Sequence, residues 1–148
     1  MIHVVLGTKA QLIKMAPVLV CLNELGVEYN LIHTSQHAEQ MDDLLTNFNL
    51  RPPDYTFLQG HGDVTSRRRM LAWIAGCLLE LGRNCEEIFR GDQDGIVLVH
   101  GDTFSTLFGA VLARVCGLRV GHVEAGLRKA GSINGYKTDR LRLAAVEI

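Results

Sequence analysis

The 148-residue chain is long enough for one domain with a sizeable core. Apolar residues make up 47%, charged residues 21%, and the formal net charge is −1, which is ordinary for a globular protein and implies no electrostatic pull toward nucleic acid or membrane. No run approaches the roughly 18 uncharged apolar residues of a membrane span, and the opening MIHVVLGTK enters a strand pattern without the basic and apolar regions of a signal peptide.

In chain order, short β-branched runs alternate with longer helical ones. Ile2 to Leu6 reads as a buried strand, and Gly7-Thr8 turns into a helix from about Gln11 to Leu25, stopped by Gly26. Val27 to Thr34 is the second strand, and the loop Ser35-Gln36-His37 precedes a helix from Ala38 to Phe48. Pro52-Pro53 breaks the chain before a short strand at Tyr55 to Leu58. A long helix capped by Asp63 then runs to about Phe89, with Arg67-Arg68-Arg69 decorating its solvated start. Ile96 to His100 is the most strand-like run, followed by a small-residue helix, Thr103 to Cys116, and a last strand, Leu118 to Val123. Strands alternating with helices predict right-handed crossovers and a parallel sheet covered on both faces, an α/β, doubly wound, Rossmann-like fold. Cys21, Cys77, Cys85 and Cys116 are far apart in sequence and form no CxxC pair. They are read as reduced, buried small hydrophobes, and no zinc site, other metal or cofactor is expected. The cytoplasm is the expected compartment.

Ligands of such sheets bind beyond the carboxyl ends of the strands. After the first strand come Gly7-Thr8-Lys9, with Lys14 one turn into the helix. Amides at a helix N-terminus suit a phosphate, although a plain tight turn with two surface lysines explains the same residues, and neither GxGxxG nor a Walker loop is present. Gln36 and His37 gather an amide and an imidazole at the next strand end, where a merely solvated histidine is the plainer reading. After the fourth strand, Gly101 allows a sharp turn and Asp102 stands at a helix N-terminus, either as its cap or as a functional carboxylate. Glu124 leaves a buried strand beside two glycines, where an ionised carboxylate must be paired or used. Two carboxylates on neighbouring strand ends suit proton abstraction and return on a sugar carbon.

Taken together, these segments resemble the UDP-N-acetylglucosamine 2-epimerase family. LGTKAQLIKMAP resembles its FGTRPEAIKMAP opening, HTSQHAEQM its T-x-Q-H-x-x-M loop, and VLVHGDTFSTL and GHVEAGLR its two central motifs, in the same order over residues 1 to 128. The resemblance implies the N-terminal domain of a two-domain, GT-B-type epimerase. Such enzymes interconvert UDP-GlcNAc and UDP-ManNAc by eliminating UDP and moving the C2 proton. It implies catalytic carboxylates at Asp102 and Glu124 and a phosphate contact at Lys14. Lys9 and Arg128 stand on matching motif positions. Gln36 and His37 match a loop that in some members holds a second, activating UDP-GlcNAc.

The chain also departs from the family. The opening arginine is Lys9, which loses the bidentate fork, and PEA becomes Ala10-Gln11-Leu12, which loses a carboxylate. In the counterpart of a later PEE-x-NR motif, Arg142 falls on the arginine, while Thr138 and Asp139 replace the glutamate pair. Asp139 is one methylene shorter, and a misplacement near 1 Å can cost ~100-fold. The expectation is a truncated copy, or a half that needs a separately encoded C-terminal partner and forms a homo-oligomer. The alternatives are a hydrolysing relative that releases UDP and N-acetylmannosamine, a non-catalytic nucleotide-sugar-binding module, and a nucleotide-sugar transferase domain.

Overall fold

A computed structural model describes residues 1–36, 41–58 and 66–125. Five parallel strands form one sheet: β1 (Ile2–Leu6), β2 (Tyr29–His33), β3 (Tyr55–Thr56), β4 (Ile96–His100) and β5 (Arg119–Val123). Their spatial order is β3-β2-β1-β4-β5. The chain first builds outward from β1 through β2 to β3, then crosses back to place β4 on the other side of β1. That reversal lies between β1 and β4, where a doubly wound sheet opens a crevice at its carboxyl end.

The alternation along β1 divides the core in two. Val4 and Leu6 pack with Leu12, Met15 and Leu19 of helix α1 (Lys9–Glu24) and with Met41 and Leu45 of α2 (Met41–Asn47). Val5 packs on the opposite face with Trp73 and Cys77 of α3 (Arg67–Ile88) and Phe108 and Leu112 of α4 (Phe104–Val115). Phe108 stands edge-on to both Phe57 and Trp73, with centroids 5.2 and 5.7 Å away, so one ring joins α3, α4 and the end of β3. The Trp73 indole donates to the Thr34 carbonyl (2.7 Å), which fixes α3 against the carboxyl end of β2.

The element order agrees with the expectation, with shifts at the ends. Helix α1 starts two residues early, because Thr8 and Gln11 form a capping box, and ends with Leu25 as C-cap, just before Gly26. The cap of α3 is Ser66, whose hydroxyl accepts from the Arg69 amide, and not Asp63, which lies outside the described residues. Arg68 and Arg69 are solvated, as expected for the start of this helix. Near its other end Asn84 leaves helical geometry (φ −128°) and its amide donates to the Tyr55 hydroxyl.

The reading of four isolated, buried thiols is corrected. Cys85 and Cys116, with Cα atoms 6.3 Å apart, are joined as a disulfide, and Cys21 is exposed. Sequence spacing hid this pair because the crossover through β4 brings the end of α3 beside the end of α4. Cys77 is wholly buried, and burial pushes its thiol up to about 12. In the native, unreduced chain near pH 8, a thiol reagent should therefore modify Cys21 promptly and Cys77 only after unfolding. Prompt reaction of more than one thiol in a timed assay would contradict either the pairing or the burial, according to which cysteine is labelled.

Candidate functional site

Four loops meet at the carboxyl end of the sheet, and a tight polar junction sets their spacing. At Gly7 any Cβ would collide with Ser105 Oγ and Thr34 Oγ1, so only glycine lets the first, second and fourth loops close together. Thr34 donates to Ser105 Oγ (3.0 Å), and Gln36 Oε1 accepts from both the Ser105 amide (3.1 Å) and its hydroxyl (2.5 Å). Gln36 is thus buried in a structural position, serving the first turn of α4.

Gln11 is the second junction. Its Oε1 accepts from the amides of Gly7 (2.9 Å) and Thr8 (3.1 Å). The two hydrogens of its Nε2 are shared among the His100 carbonyl (2.8 Å), Thr103 Oγ1 (2.9 Å) and Thr106 Oγ1 (3.0 Å). The amide therefore links the loop after β1 to the loop after β4. This corrects the expectation of open phosphate-binding amides at the start of α1, because Gly7 and Thr8 already spend theirs on Gln11. Lys9 is the first residue of that helix and half-buried.

Asp102 does not cap α4; Thr103 does, its hydroxyl accepting from the Thr106 amide. Gly101 turns the chain at φ 74°, a left-handed conformation suited to glycine, and Asp102 emerges exposed. His100 is in register with Val123 of the neighbouring strand, so Glu124, one residue past β5, and Asp102, two residues past β4, leave adjacent, paired strand ends. His122 Nε2 meets the Gly101 carbonyl at 2.7 Å and holds these two ends together.

Glu124 itself has φ 62°. Such a backbone costs a non-glycine residue about 1–3 kcal/mol and persists only where its surroundings over-determine it. Those surroundings are Lys14 Nζ at 2.7 Å and His100 Nε2 at 3.2 Å, both on Glu124 Oε2. The Lys14 ammonium, followed by weaker effects of His100, holds the Glu124 carboxyl below its ordinary value. Burial pushes the His100 imidazole down despite the nearby carboxylate, so it is neutral at physiological pH. A neutral ring that donates from Nε2 carries a bare Nδ1, and that buried atom has no hydrogen-bond partner among the described residues.

Of the residues singled out from sequence, Lys14, Asp102 and Glu124 come to one corner, Lys9 lies at the start of α1, and Gln36 is structural. His37, Arg128, Asp139 and Arg142 lie outside the described residues. His100 and Gln11 were missed as site residues. Both left signals: His100 is a polar residue closing an apolar strand, and Thr8-Lys9-Ala10-Gln11 has the T-x-x-Q spacing of a capping box. No group of three or more metal-ligating side chains occurs among the described residues. A depression of about 330 Å3 lies at the opposite, amino end of the sheet. There Arg51 and Arg90 are both paired with Asp54 at 2.5 Å, so their charge is partly spent within the fold.

Four groups predict how stability follows pH. Burial lowers His3 and His100, the N-terminal ammonium lowers Asp92, and Lys14 lowers Glu124. Each binds protons more readily when unfolded, so acidification favours the unfolded chain. The urea midpoint should fall as pH drops through about 6.5, the ordinary histidine value, and fall further through the carboxylate range near 4. A midpoint that rises on mild acidification would mean that the buried imidazoles are charged in the fold.

The family model of UDP-N-acetylglucosamine 2-epimerases matches residues 21–146. A UDP-N-acetylglucosamine 2-epimerase of Methanococcus maripaludis is 39% identical over 146 residues, covering 95% of this chain and 36% of that protein. One from Bacillus subtilis is 35% identical, covering 89% and 33%. The Neisseria meningitidis UDP-GlcNAc 2-epimerase, solved bound to UDP-GlcNAc, superposes with a TM-score of 0.64 at 31% identity, covering 87% of this chain and 33% of its own. A Staphylococcus aureus structure with UDP gives a TM-score of 0.66 at 30% identity, covering 86% and 31%. The chain spans about a third of the length of the curated relatives it matches. No described helix is long and apolar enough to cross a membrane. The match of the family model over most of the sequence, together with this parallel sheet and its adjacent carboxylate ends, places the chain in the UDP-N-acetylglucosamine 2-epimerase family.

Proposed function

We propose that this chain is the N-terminal Rossmann-like domain of an enzyme that interconverts UDP-GlcNAc and UDP-ManNAc, and that a second domain or separately encoded half completes it. The observation that carries the reading is the placement of Asp102 and Glu124 on adjacent strand ends beside the switch point, with Glu124 held on a left-handed backbone. The relative solved with UDP-GlcNAc supports the substrate class. In the reaction a carboxylate removes the C2 proton, the C–H electron pair forms the C1–C2 double bond, and the C1–O bond breaks with its pair leaving on UDP. Protonation of C2 from the other face and re-addition of UDP complete an isomerisation with no net redox change. Asp102 and Glu124 serve as the acid–base pair. Lys9, Lys14, Arg128 and Arg142 serve the diphosphate, and the loop of Gln36 and His37 serves the activating second nucleotide sugar, with Gln36 acting as the buried strut that fixes its start to α4. The same reading places the protein in the cytoplasm, which cell fractionation checks.

Proton NMR of the chain with UDP-GlcNAc in D2O tests the function. Deuterium at C2, with or without UDP-ManNAc, is the expected result for a working site. Free N-acetylmannosamine would identify a hydrolysing relative instead. Unchanged but broadened sugar signals would favour the binding module, a reading that the replacement of the glutamate pair by Thr138 and Asp139 also favours.

The outer face of the α3–α4 layer supports self-association. Phe104, Leu107, Val111 and Val115 recur at helical spacing on α4 and are all exposed, and Leu71, Leu78 and Leu79 are exposed on α3. An exposed apolar stripe along one helix suits an interaction site. The chain should sediment as a dimer, and Leu107→Glu with Val111→Glu should shift it to monomer. An unchanged sedimentation coefficient for the double variant would remove this face from the contact.

A further inference from the structure

Lys14 and His100 approach the same oxygen of Glu124, and the two donors differ in one respect that matters. The Lys14 side chain is 53% exposed, at the end of a flexible stem on α1, whereas His100 is 4% exposed and fixed at the end of β4. His100 is anchored further through its carbonyl, which accepts from Gln11 and from Thr106 Oγ1 (2.6 Å). One grip can therefore let go and the other cannot. Among the described residues, both donors to Glu124 converge on Oε2. The other charged or titratable groups of this corner are Asp102, exposed after β4, and His122, whose Nε2 is taken by the Gly101 carbonyl.

We propose that Lys14 and His100 form a two-donor clamp on Glu124 from which an arriving diphosphate draws Lys14 away, so that substrate binding itself turns Glu124 from a paired anion into a base. His100 is the positioning residue that keeps the carboxylate in place after the exchange. The inference rests on the nucleotide-sugar reading above and adds how that site is switched. Its physical basis is ion-pair competition: a phosphate-bearing ligand offers an exposed ammonium more negative charge than one carboxylate does. Lys14 is the leading cause of the lowered Glu124 carboxyl, so its departure raises the proton affinity of that group. A free enzyme then holds Glu124 ionised and occupied, and proton abstraction becomes favourable only with ligand in place. The neutral His100 ring donates to Glu124 without adding a charge that would keep its proton affinity low.

Carboxyl-carbon NMR of the glutamate-labelled chain tests this directly, with the Glu124 signal identified by its loss in Glu124→Gln. The pH titration is run with and without saturating UDP. The expected result is an upward shift of the Glu124 midpoint on adding UDP. In Lys14→Gln the midpoint should already lie higher without UDP, and UDP should add nothing. In His100→Gln, which keeps a donor, UDP should still shift it upward, whereas in His100→Ala, which removes the donor, the Glu124 midpoint should already lie higher without UDP. If UDP perturbs backbone amides such as those of Thr8 and Thr34 while Glu124 titrates unchanged, the exchange is wrong and the nucleotide-sugar reading stands. If Lys14→Gln leaves the Glu124 midpoint in place, the clamp is wrong whatever UDP does. If no signal responds to UDP, the nucleotide-sugar reading of this chain falls, and the exchange falls with it.

Discussion

Glu124→Gly should abolish C2 proton exchange while leaving the chain about as stable as before. Loss of a positioned acid–base group typically costs ~10²–10⁴ in rate, so exchange should fall below detection in the D2O experiment. Four terms set the stability change. Relief of the left-handed backbone at φ 62° returns about 1–3 kcal/mol. Added glycine freedom in the unfolded chain takes back about 0.5–1 kcal/mol. The partly exposed pair with Lys14 (side chains 53% and 34% exposed) contributes only ~0–1 kcal/mol after solvent screening. The buried His100 Nε2–H, which loses its acceptor, takes back about 1–3 kcal/mol more, so the sum is near zero and the urea midpoint should roughly hold. Glu124→Gln should lose the same activity but keep the strained backbone, and should not share the backbone relief. A Glu124→Gly midpoint well below the parent's would mean that the carboxylate is retained for folding and that its strain is not a functional signature.

The largest stability loss is expected at Gln11. Gln11→Ala removes the acceptor of the Gly7 and Thr8 amides and the donor to His100, Thr103 and Thr106 in one step. The acceptors on the β4 side retain partners, since Thr106 Oγ1 still reaches the His100 carbonyl and lies 3.2 Å from Thr103 Oγ1. The two amides are the costly part, because buried donors without partners cost about 1–3 kcal/mol each. A total near 4 kcal/mol is a large fraction of the ~5–15 kcal/mol typical of a domain. Urea denaturation should show it as a midpoint shift with an unchanged slope. Gln11→Glu keeps the acceptor end but turns an oxygen toward the His100 carbonyl, so its loss should be intermediate. A Gln11→Ala chain as stable as the parent would mean that water replaces the amide at this junction.

The alternation of apolar runs and helical stretches was enough to reveal the order of elements, and Ile96–His100 matched its strand residue for residue. It was enough because a strand buried on both faces must be apolar throughout, whatever it packs against. Ends were less legible where a cap depends on one hydroxyl among several candidates. Ser66 in place of Asp63, and Thr103 in place of Asp102, are choices between residue types that cap about equally well. The Thr103 choice bears on the proposed function, since it leaves Asp102 outside the cap.

By itself the sequence determined the fold class, the family, and the two strand ends from which Asp102 and Glu124 leave, because periodicity and motif order are local properties of the chain. Only the tertiary structure decided what those residues touch. Gln36 became a strut for α4, Gln11 took the amides expected to meet a phosphate, and Cys85 met Cys116 across the layer. Lys14 and His100, 86 positions apart in the chain, converged on one oxygen of Glu124. The physical reason is that the β1–β4 crossover sets distances between loops remote in sequence, and hydrogen-bond and ion-pair strength depends on those distances within a few tenths of an ångström.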